Sequence, residues 1–373
     1  MKTRVGIIFG GNSVEHEISI LSVIQANYAI NTDKYDVVNI YMTKDGHFWV
    51  GPEFNSLETF KKNYFKHYEV TFYNKKNKLM LKGIKPLFPK KYHQPIDVIL
   101  PIVHGKNVED GSLAGYFNVL NIAYASSDIL AAAIFQNKYV SKKIFQDLEI
   151  KIVDYVYFTY HNYKNNLFKV LEDCFVLGYP MIIKPVSLGS SIGIKIAKNY
   201  DELLEAINYA FKYDNEIVVE KKLTSYREFN QALLKTDNGY RLSSIEEVIN
   251  ADTFLTFDDK YLDTPTKKEI PANVDEDLEN QIKNYSLKIA NFFHPGGVLR
   301  IDYLYDEDNK ILYLNEVNSI PGSLSYYLFE DNLSFTDLID QLITQAIKEH
   351  YLKNLKLNSF KSNVLSTTKI IKK

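Results

Sequence analysis

The chain has 373 residues, 46% of them hydrophobic and 14% aromatic, and sets 44 Lys and Arg against 46 Asp and Glu for a net charge of −2. That composition is globular rather than disordered, the length allows two or three domains, and the charge balance gives no electrostatic reason to expect nucleic acid or an anionic membrane as partner. The single cysteine, Cys174, excludes an internal disulfide and a multi-thiolate zinc site. The opening MKTRVGIIFGG enters a strand within four residues and lacks a signal-peptide layout. Apolar runs such as ILAAAIF (129–135) fall far short of the roughly 20 residues a bilayer requires. A cytoplasmic protein is expected.

RVGIIFGG (4–11) reads as a strand and turn, with Asn12 as helix cap and Glu15 three residues on. The following helix, SVEHEISILSVIQANYAI, carries Ile18, Leu21, Ile24 and Tyr28 at helical spacing. YDVVNIYMT and IDVILPIVHG read as buried strands, and strands alternating with helices predict a parallel α/β sheet. Residues 50–95, polar and tyrosine-rich, read as a β-rich excursion from it. NIAYASSDILAAAIFQNKYVSKKIFQDL returns to helix and marks a domain change. From about 150 to 225 come the short strands KIVDYVYF, YPMIIKPV, IGIKIAK and EIVVEKKL with one helix, DELLEAINYAFKY, and Cys174 sits at a packed helix end. The last part holds the strands GGVLRIDYLYD and YLNEVN and the helix DLIDQLITQAIKEHYLKNL, before a lysine-rich tail.

Several stretches carry chemistry. Strand residues two apart share a face, so Glu316 and Asn318 point one way, as do Arg300 and Asp302 on the strand before them. Adjacent strands would thus converge two carboxylates, an amide and a guanidinium on one point, and the oxygen-bearing groups among them suit a hard cation bridging phosphates. In KPVSLGSSIGIKI (184–196) a lysine leaves a strand ahead of Gly-Ser-Ser, which reads either as a phosphate cradle or as an ordinary hairpin; it is not a Walker loop. Glu220 in IVVEKKL is either a nucleotide contact or a solvated charge. His16-Glu17 is not the start of a zinc-binding HExxH, because the second histidine would fall on Ile20. Glu15 stands at a helix N-terminus, as a cap or as a carboxylate held by the dipole. His104 follows a buried strand, with Glu109 and Asp110 in the next loop, and ligands gather at the carboxyl ends of strands in open α/β sheets. FDDKYLDTPTKKEIPA (257–272) is polar, without helical period, and reads as a surface loop or an active-site cover bearing Lys260 and Tyr261.

In their order along the chain, GGNSVEHEIS, HGKNVEDGSLAG, NKYVSKKIF, IKPVSLGSSIG, DDKYL and RIDY…NEVNSIPG resemble the motifs of the D-alanine–D-alanine ligases of the ATP-grasp superfamily, over residues 4 to 350. The resemblance implies a three-domain α/β ATP-grasp fold. An N-terminal Rossmann-like parallel-sheet domain would span 1–128 and a central ATP-grasp lobe 129–225. A C-terminal lobe carrying metal and catalytic residues would span 226–355, followed by a basic tail, 356–373. It implies ATP-dependent phosphorylation of one D-alanine carboxylate and attack on the acyl phosphate by a second D-alanine, in a cytoplasmic homodimer that makes peptidoglycan precursors. ATP and two Mg2+ ions, or Mn2+, would be the cofactors.

The site residues follow from the same resemblance. Asp302, Glu316 and Asn318 would ligate the metal ions. Lys138, Lys184, Ser190, Ser191 and Lys260 would hold phosphates, while Glu220, Leu223 and Glu228 would contact adenine and ribose. Arg300 and the Gly322 N–H would stabilise the tetrahedral oxyanion. Glu15 would pair with the first substrate's ammonium, latched by Ser190 and Tyr261, with His104 beside it. Ser325, Tyr327 and Leu328 would flank the second substrate. The family's D-lactate-using relatives place a histidine where this chain has Lys260-Tyr261, which favours an amine nucleophile. Three departures stand out: Val108 for a glycine, Asn137 for an aspartate, and Tyr327 where a serine near the second substrate's carboxylate is usual. The last leaves D-serine open as second substrate.

Overall fold

In the computed structural model, which describes residues 2–62, 66–76, 78–189, 191–249 and 267–357, the strands form three sheets. The first begins with β1 (Thr3–Gly10), α1 (His16–Ala29) and β2 (Tyr35–Met42). It continues with β3 (Phe48–Val50), α2 (Leu57–Lys61), β4 (Tyr68–Lys75) and β5 (Lys78–Gly83), then β6 (Val98–Val103), α3 (Ser112–Val119) and β7 (Ala123–Tyr124). The strand order is β5-β4-β3-β2-β1-β6-β7. β1 pairs in parallel with β2 and β6, and β3 to β5 form the expected antiparallel excursion. β1 is covered on both faces, so its residues from Arg4 to Gly10 are all buried and its apolar run is nearly continuous.

Two readings of α1 change. The helix starts at His16, and Asn12 is not its cap. Residues 11–15 form a turn in which the Glu15 N–H donates to Ser13 Oγ and the His16 N–H to the Ser13 carbonyl. The face buried in the protein is His16, Ser19, Ile20, Val23 and Ala26, whereas Leu21 and Tyr28 are exposed. Apolar spacing alone did not choose between two helical stripes, because small and polar residues fit the tighter one against β1 and β6.

The second sheet follows α4 (Ile129–Gln136) and α5 (Lys138–Asp147). It is built from β8 (Tyr155–Thr159), β9 (Met181–Pro185), β10 (Lys195–Ala197) and β11 (Glu216–Lys221), in the antiparallel order β10-β9-β11-β8. Besides the expected helix α8 (Tyr200–Ala210), it gains α6 (Tyr160–Asn165) and α7 (Leu167–Leu177). Thr159 and Asn162 form a reciprocal cap that starts α6, a signal present in the sequence. Cys174 on α7 is fully buried among Leu171, Met181 and Leu203, and burial pushes its thiol up to about 12.

The third sheet holds β12 (Tyr226–Thr236), β13 (Gly239–Ile249), β14 (Lys267–Glu269), β15 (Val298–Asp306) and β16 (Ile311–Asn318), in the antiparallel order β14-β13-β12-β15-β16. One face, with Phe229, Leu233, Ile301 and Tyr303, packs on Ile282 and Ile289 of α9 (Glu276–Phe293). Beyond β16 comes a 3-10 segment, Gly322–Leu328, and α10 (Phe335–Asn354). Leu338, Ile339, Leu342 and Ile343 of α10 join one core with Val5, Ile7 and Leu100 of the first sheet and Ala232 and Leu234 of the third. The last helix therefore ties the two sheets together. Among the described residues no helix is long and apolar enough to cross a membrane.

Candidate active site

A cleft with a cavity volume of about 430 Å³ opens where the three sheets meet. β13, β12, β15 and β16 place Glu246, Asn230, Asp302 and Glu316 side by side, one per strand, because register pairs Asn230 with Glu246 and with Asp302, and Asp302 with Glu316; the last three line the cleft, and Glu246 is buried beside them. Directly paired residues share a sheet face, so this row is a single polar stripe on the face opposite the α9 core. Two residues along, Arg300 pairs with Asn318. The Arg300 guanidinium grips Asp302 with two parallel bonds, Nε to Oδ1 and Nη2 to Oδ2, both 2.7 Å, and Asn318 Nδ2 donates to Asp302 Oδ2 at 3.1 Å. Burial disfavours the Arg300 charge, but Asp302 overrides it and holds the guanidinium well above its ordinary range. A bulge between Asp302 and Tyr303 leaves Asn315 as the extra residue of β16. Leu314 is thereby sent into the core, and Asn315 lines the cleft beside Glu316.

The facing wall is rich in lysine. Glu220 on β11 is 3% exposed and lies 2.9 Å from Lys142 Nζ and 2.7 Å from Lys184 Nζ. Burial acts to raise the Glu220 carboxyl, but the two ammonium groups hold it down to about 2. Lys184 also reaches Asn315 Oδ1 at 3.4 Å. Asn137 breaks the helical run and caps α5, accepting from the Tyr139 and Val140 N–H groups at 3.1 and 2.9 Å. Lys138 then opens α5 with its ammonium on the Leu188 carbonyl. Burial lowers both Lys138 and Lys142 below the usual lysine range. A Cβ added at Gly189 would meet nothing within 4 Å, so this loop's backbone is open to the cleft.

The third side comes from the carboxyl ends of β1 and β6. Gly10 has φ +96° and a Cβ there would lie 2.3 Å from the Met42 carbonyl, so only glycine permits the turn that carries Glu15 to the cleft. His104, 2% exposed, has Nδ1 4.0 Å from Glu109 Oε1, and its Nε2 is buried without a hydrogen-bond partner among the described residues. Burial lowers the imidazole against the opposing charge of Glu15. Burial, then the charge of Glu15, raises the Glu109 carboxyl to about 8, although it accepts the Gly105 N–H at 2.8 Å.

After Pro321 the chain takes left-handed backbone at three successive side-chain-bearing residues, Ser323, Leu324 and Ser325, with φ of 49°, 53° and 49°. Such backbone costs about 1–2 kcal/mol per residue. It is held by the Ser323 N–H on Ser22 Oγ at 3.1 Å, by Ser323 Oγ on Gln25 Oε1 at 2.7 Å, and by burial of Leu324. Gly322 lines the cleft, and a Cβ on it would meet nothing within 4 Å. The turn decides which residues follow it into the site. Tyr327 lines the cleft, but Ser325 and Leu328 do not: Ser325 is fully buried with its hydroxyl unpartnered among the described residues, and Leu328 is in the core beneath α10. The resemblance implied all three beside the second substrate; the left-handed turn brings only Tyr327 to the cleft.

Leu223 and Glu228 also line the cleft, and Ser191 does not. Ser190, Lys260 and Tyr261 lie outside the described residues. The segment 257–272 is not loop throughout, since Lys267–Glu269 forms β14 and brings Lys268 to the cleft. Lys142, Asn230, Glu246, Lys268 and Asn315 were missed. Only Asn315 carried a signal, an oxygen-bearing residue next to Glu316 that breaks strand alternation. Among the described residues no group of three or more His, Cys, Asp or Glu side chains is placed to hold a metal ion; the expected ligands Asp302, Glu316 and Asn318 bring two carboxylates and an amide to this wall.

Family profiles described as "D-ala D-ala ligase N-terminus" and "D-ala D-ala ligase C-terminus" match residues 4–127 and 144–344. The chain is 38% identical to the D-alanine–D-alanine ligase of Thermosipho africanus, over 97% of this chain and 98% of that protein. Among solved structures, the VanG D-Ala:D-Ser ligase of Enterococcus faecalis superposes with a TM-score of 0.78 at 28% identity, covering 93% of this chain and 100% of that one. The D-alanine–D-alanine ligase of Coxiella burnetii shares the fold with a TM-score of 0.80 at 23% identity, covering 95% and 96%.

Proposed function

The chain belongs to the D-alanine–D-alanine ligase family, with its ATP-grasp fold, and we propose that it joins two D-alanine molecules through an acyl phosphate while ATP is converted to ADP and phosphate. The observation that carries this reading is the pairing of a lysine wall with the Asp302–Glu316–Asn318 stripe and the forked Arg300 across one cleft.

Lys138 and Lys184 hold the triphosphate, Glu220 fixes Lys184 and Lys142 by pairing with both, and Leu223 and Glu228 face the base and ribose. A carboxylate oxygen of the first D-alanine attacks the γ-phosphorus and ADP leaves. The amine of the second attacks the carbonyl carbon of the acyl phosphate, the carbonyl electrons move onto oxygen, and they return as phosphate departs and the amine gives up its proton. Arg300 and the Gly322 N–H stabilise that oxyanion, and Glu15 takes the ammonium of the first substrate. The donors Asp302, Glu316 and Asn318 fit Mg2+, which is held by one or two carboxylates with phosphate oxygens completing its shell. A bound ion would neutralise charge on the phosphates. A homodimer in the cytoplasm, serving peptidoglycan precursor synthesis, belongs to the same proposal.

Purified protein given ATP, Mg2+ and D-alanine should release phosphate and form D-alanyl-D-alanine. Neither product appearing would reject the reading. Tyr327 on the cleft favours a second reading, D-serine as nucleophile, and equal supplies of D-alanine and D-serine with mass analysis of the dipeptides decide between them.

A further inference from the structure

Glu246 on β13 is 0% exposed, where a bare carboxylate would be strongly disfavoured. Three groups surround it. Asn230 Nδ2 donates to Oε2 at 2.8 Å, the Tyr327 hydroxyl donates to the same oxygen at 3.3 Å, and Lys268 Nζ lies 2.8 Å from Oε1. The arrangement consumes the phenol proton. Tyr327 therefore does not take over carboxylate binding from the serine that the resemblance led one to expect. Its ring serves as a platform instead, with Lys268 Nζ 4.8 Å from the ring centroid. Lys268 is held from behind by Glu246 and from below by Tyr327, and its side chain is still 44% exposed and lines the cleft. An ammonium has three N–H donors, and this one has a single carboxylate partner on its buried side. Arg300 is near enough for its charge to act on Lys268 and on Tyr327, so Lys268 flanks the residue assigned to the oxyanion.

We propose that Lys268 selects the nucleophile by its free carboxylate, with Glu246 as the positioning residue that aims it. The substrate class is then a small α-amino acid with an unblocked carboxylate, bounded on one side by the Tyr327 ring. The inference rests on the ligase reading and adds to it the group that distinguishes an amino acid from an amine.

D-alaninamide tests this directly, because it has no carboxylate to phosphorylate and enters only as nucleophile. With D-alanine as acyl donor, the wild-type protein should prefer D-alanine over D-alaninamide as nucleophile. Removing one charge-assisted hydrogen bond should shrink that preference by about 10- to 100-fold in Lys268→Met, while Lys268→Arg keeps most of it. Since Lys268→Met leaves Glu246 buried without its cation, Lys268→Met/Glu246→Gln provides a neutral pair of similar shape and should show the same narrowing. KM for ATP should not move in any of them. A folded double variant that makes dipeptide with the wild-type preference intact would overturn the role of Lys268 alone. Absence of any dipeptide from the wild-type protein would overturn the ligase reading and this inference together.

Discussion

The wall built by β9 and β11 and the wall built by β12, β15 and β16 are both antiparallel sheet, and both bury charge, yet they pair it differently. On the first, Lys142 and Lys184 share one carboxylate, Glu220, so positive charge is left over in a region of low dielectric. On the second, the Arg300 fork grips Asp302, Lys268 pairs with Glu246, and Glu316 lies beside Asp302 on the same face. A buried ion pair does little for stability once desolvation is counted. A lysine-rich wall facing one that carries Asp302, Glu316 and Asn318 is the layout the proposed metal–triphosphate ligand would require.

Four experiments would break or sharpen that contrast. The largest effect is expected at Arg300. Arg300→Ala should cut turnover by about 10²–10³-fold, the usual loss for one oxyanion donor, with the circular dichroism spectrum retained; near-normal kcat would remove it from the chemistry. Glu316→Gln should shift the Mg2+ titration of activity upward by about tenfold or more, and an unmoved midpoint would show that this wall does not hold the ion.

Glu220→Gln probes the other wall through stability. Two lysines would remain buried around a neutral amide, a loss of about 3–5 kcal/mol for a broken buried pair, read by urea unfolding near neutral pH. The sign of its pH dependence follows from a carboxyl depressed from 4.5 to about 2. Its contribution is complete above pH 4.5 and disappears as pH falls toward 2, so wild type and variant should converge in acid. Equal stability at pH 7 would mean that Glu220 is not the lysines' counter-ion.

The remaining test is at Glu109, whose shift has the opposite sign. Raised from 4.5 to about 8, it keeps its proton in the folded state while the unfolded chain ionises, so it subtracts stability as pH rises between those values. Glu109→Gln should therefore gain melting temperature over wild type from pH 5 to 8. A constant difference across that range would place an ionised carboxylate beside His104.

Much of this was legible in the linear chain. The Arg300, Asp302, Glu316 and Asn318 quartet followed from two-residue alternation on neighbouring strands, His104 from its place after a buried strand, and Glu15 from its place at a helix N-terminus. Lys142 was not legible: on a helix rich in lysine, nothing local marks the one that is 3% exposed against Glu220. Glu246 and Lys268 were equally hidden, because their meeting depends on β14 pairing with β13, and Lys268 read as part of a polar loop. Ser325 left the cleft while Tyr327 stayed on it, through left-handed backbone that no residue type in Ser-Leu-Ser announces.

By itself the sequence determined the strands and helices with strong local periodicity, which residues of the Arg300 and Glu316 strands share a face, and the order of the motifs, since these depend on local periodicity and residue type. The tertiary structure alone decided which stripe of α1 is buried, which lysine shares the carboxylate of Glu220, and which side chains of 323–328 enter the cleft. Those outcomes turn on strand register, a bulge and a turn fixed by contacts between residues some 300 positions apart, such as Ser22 with Ser323. No local pattern carries information of that range.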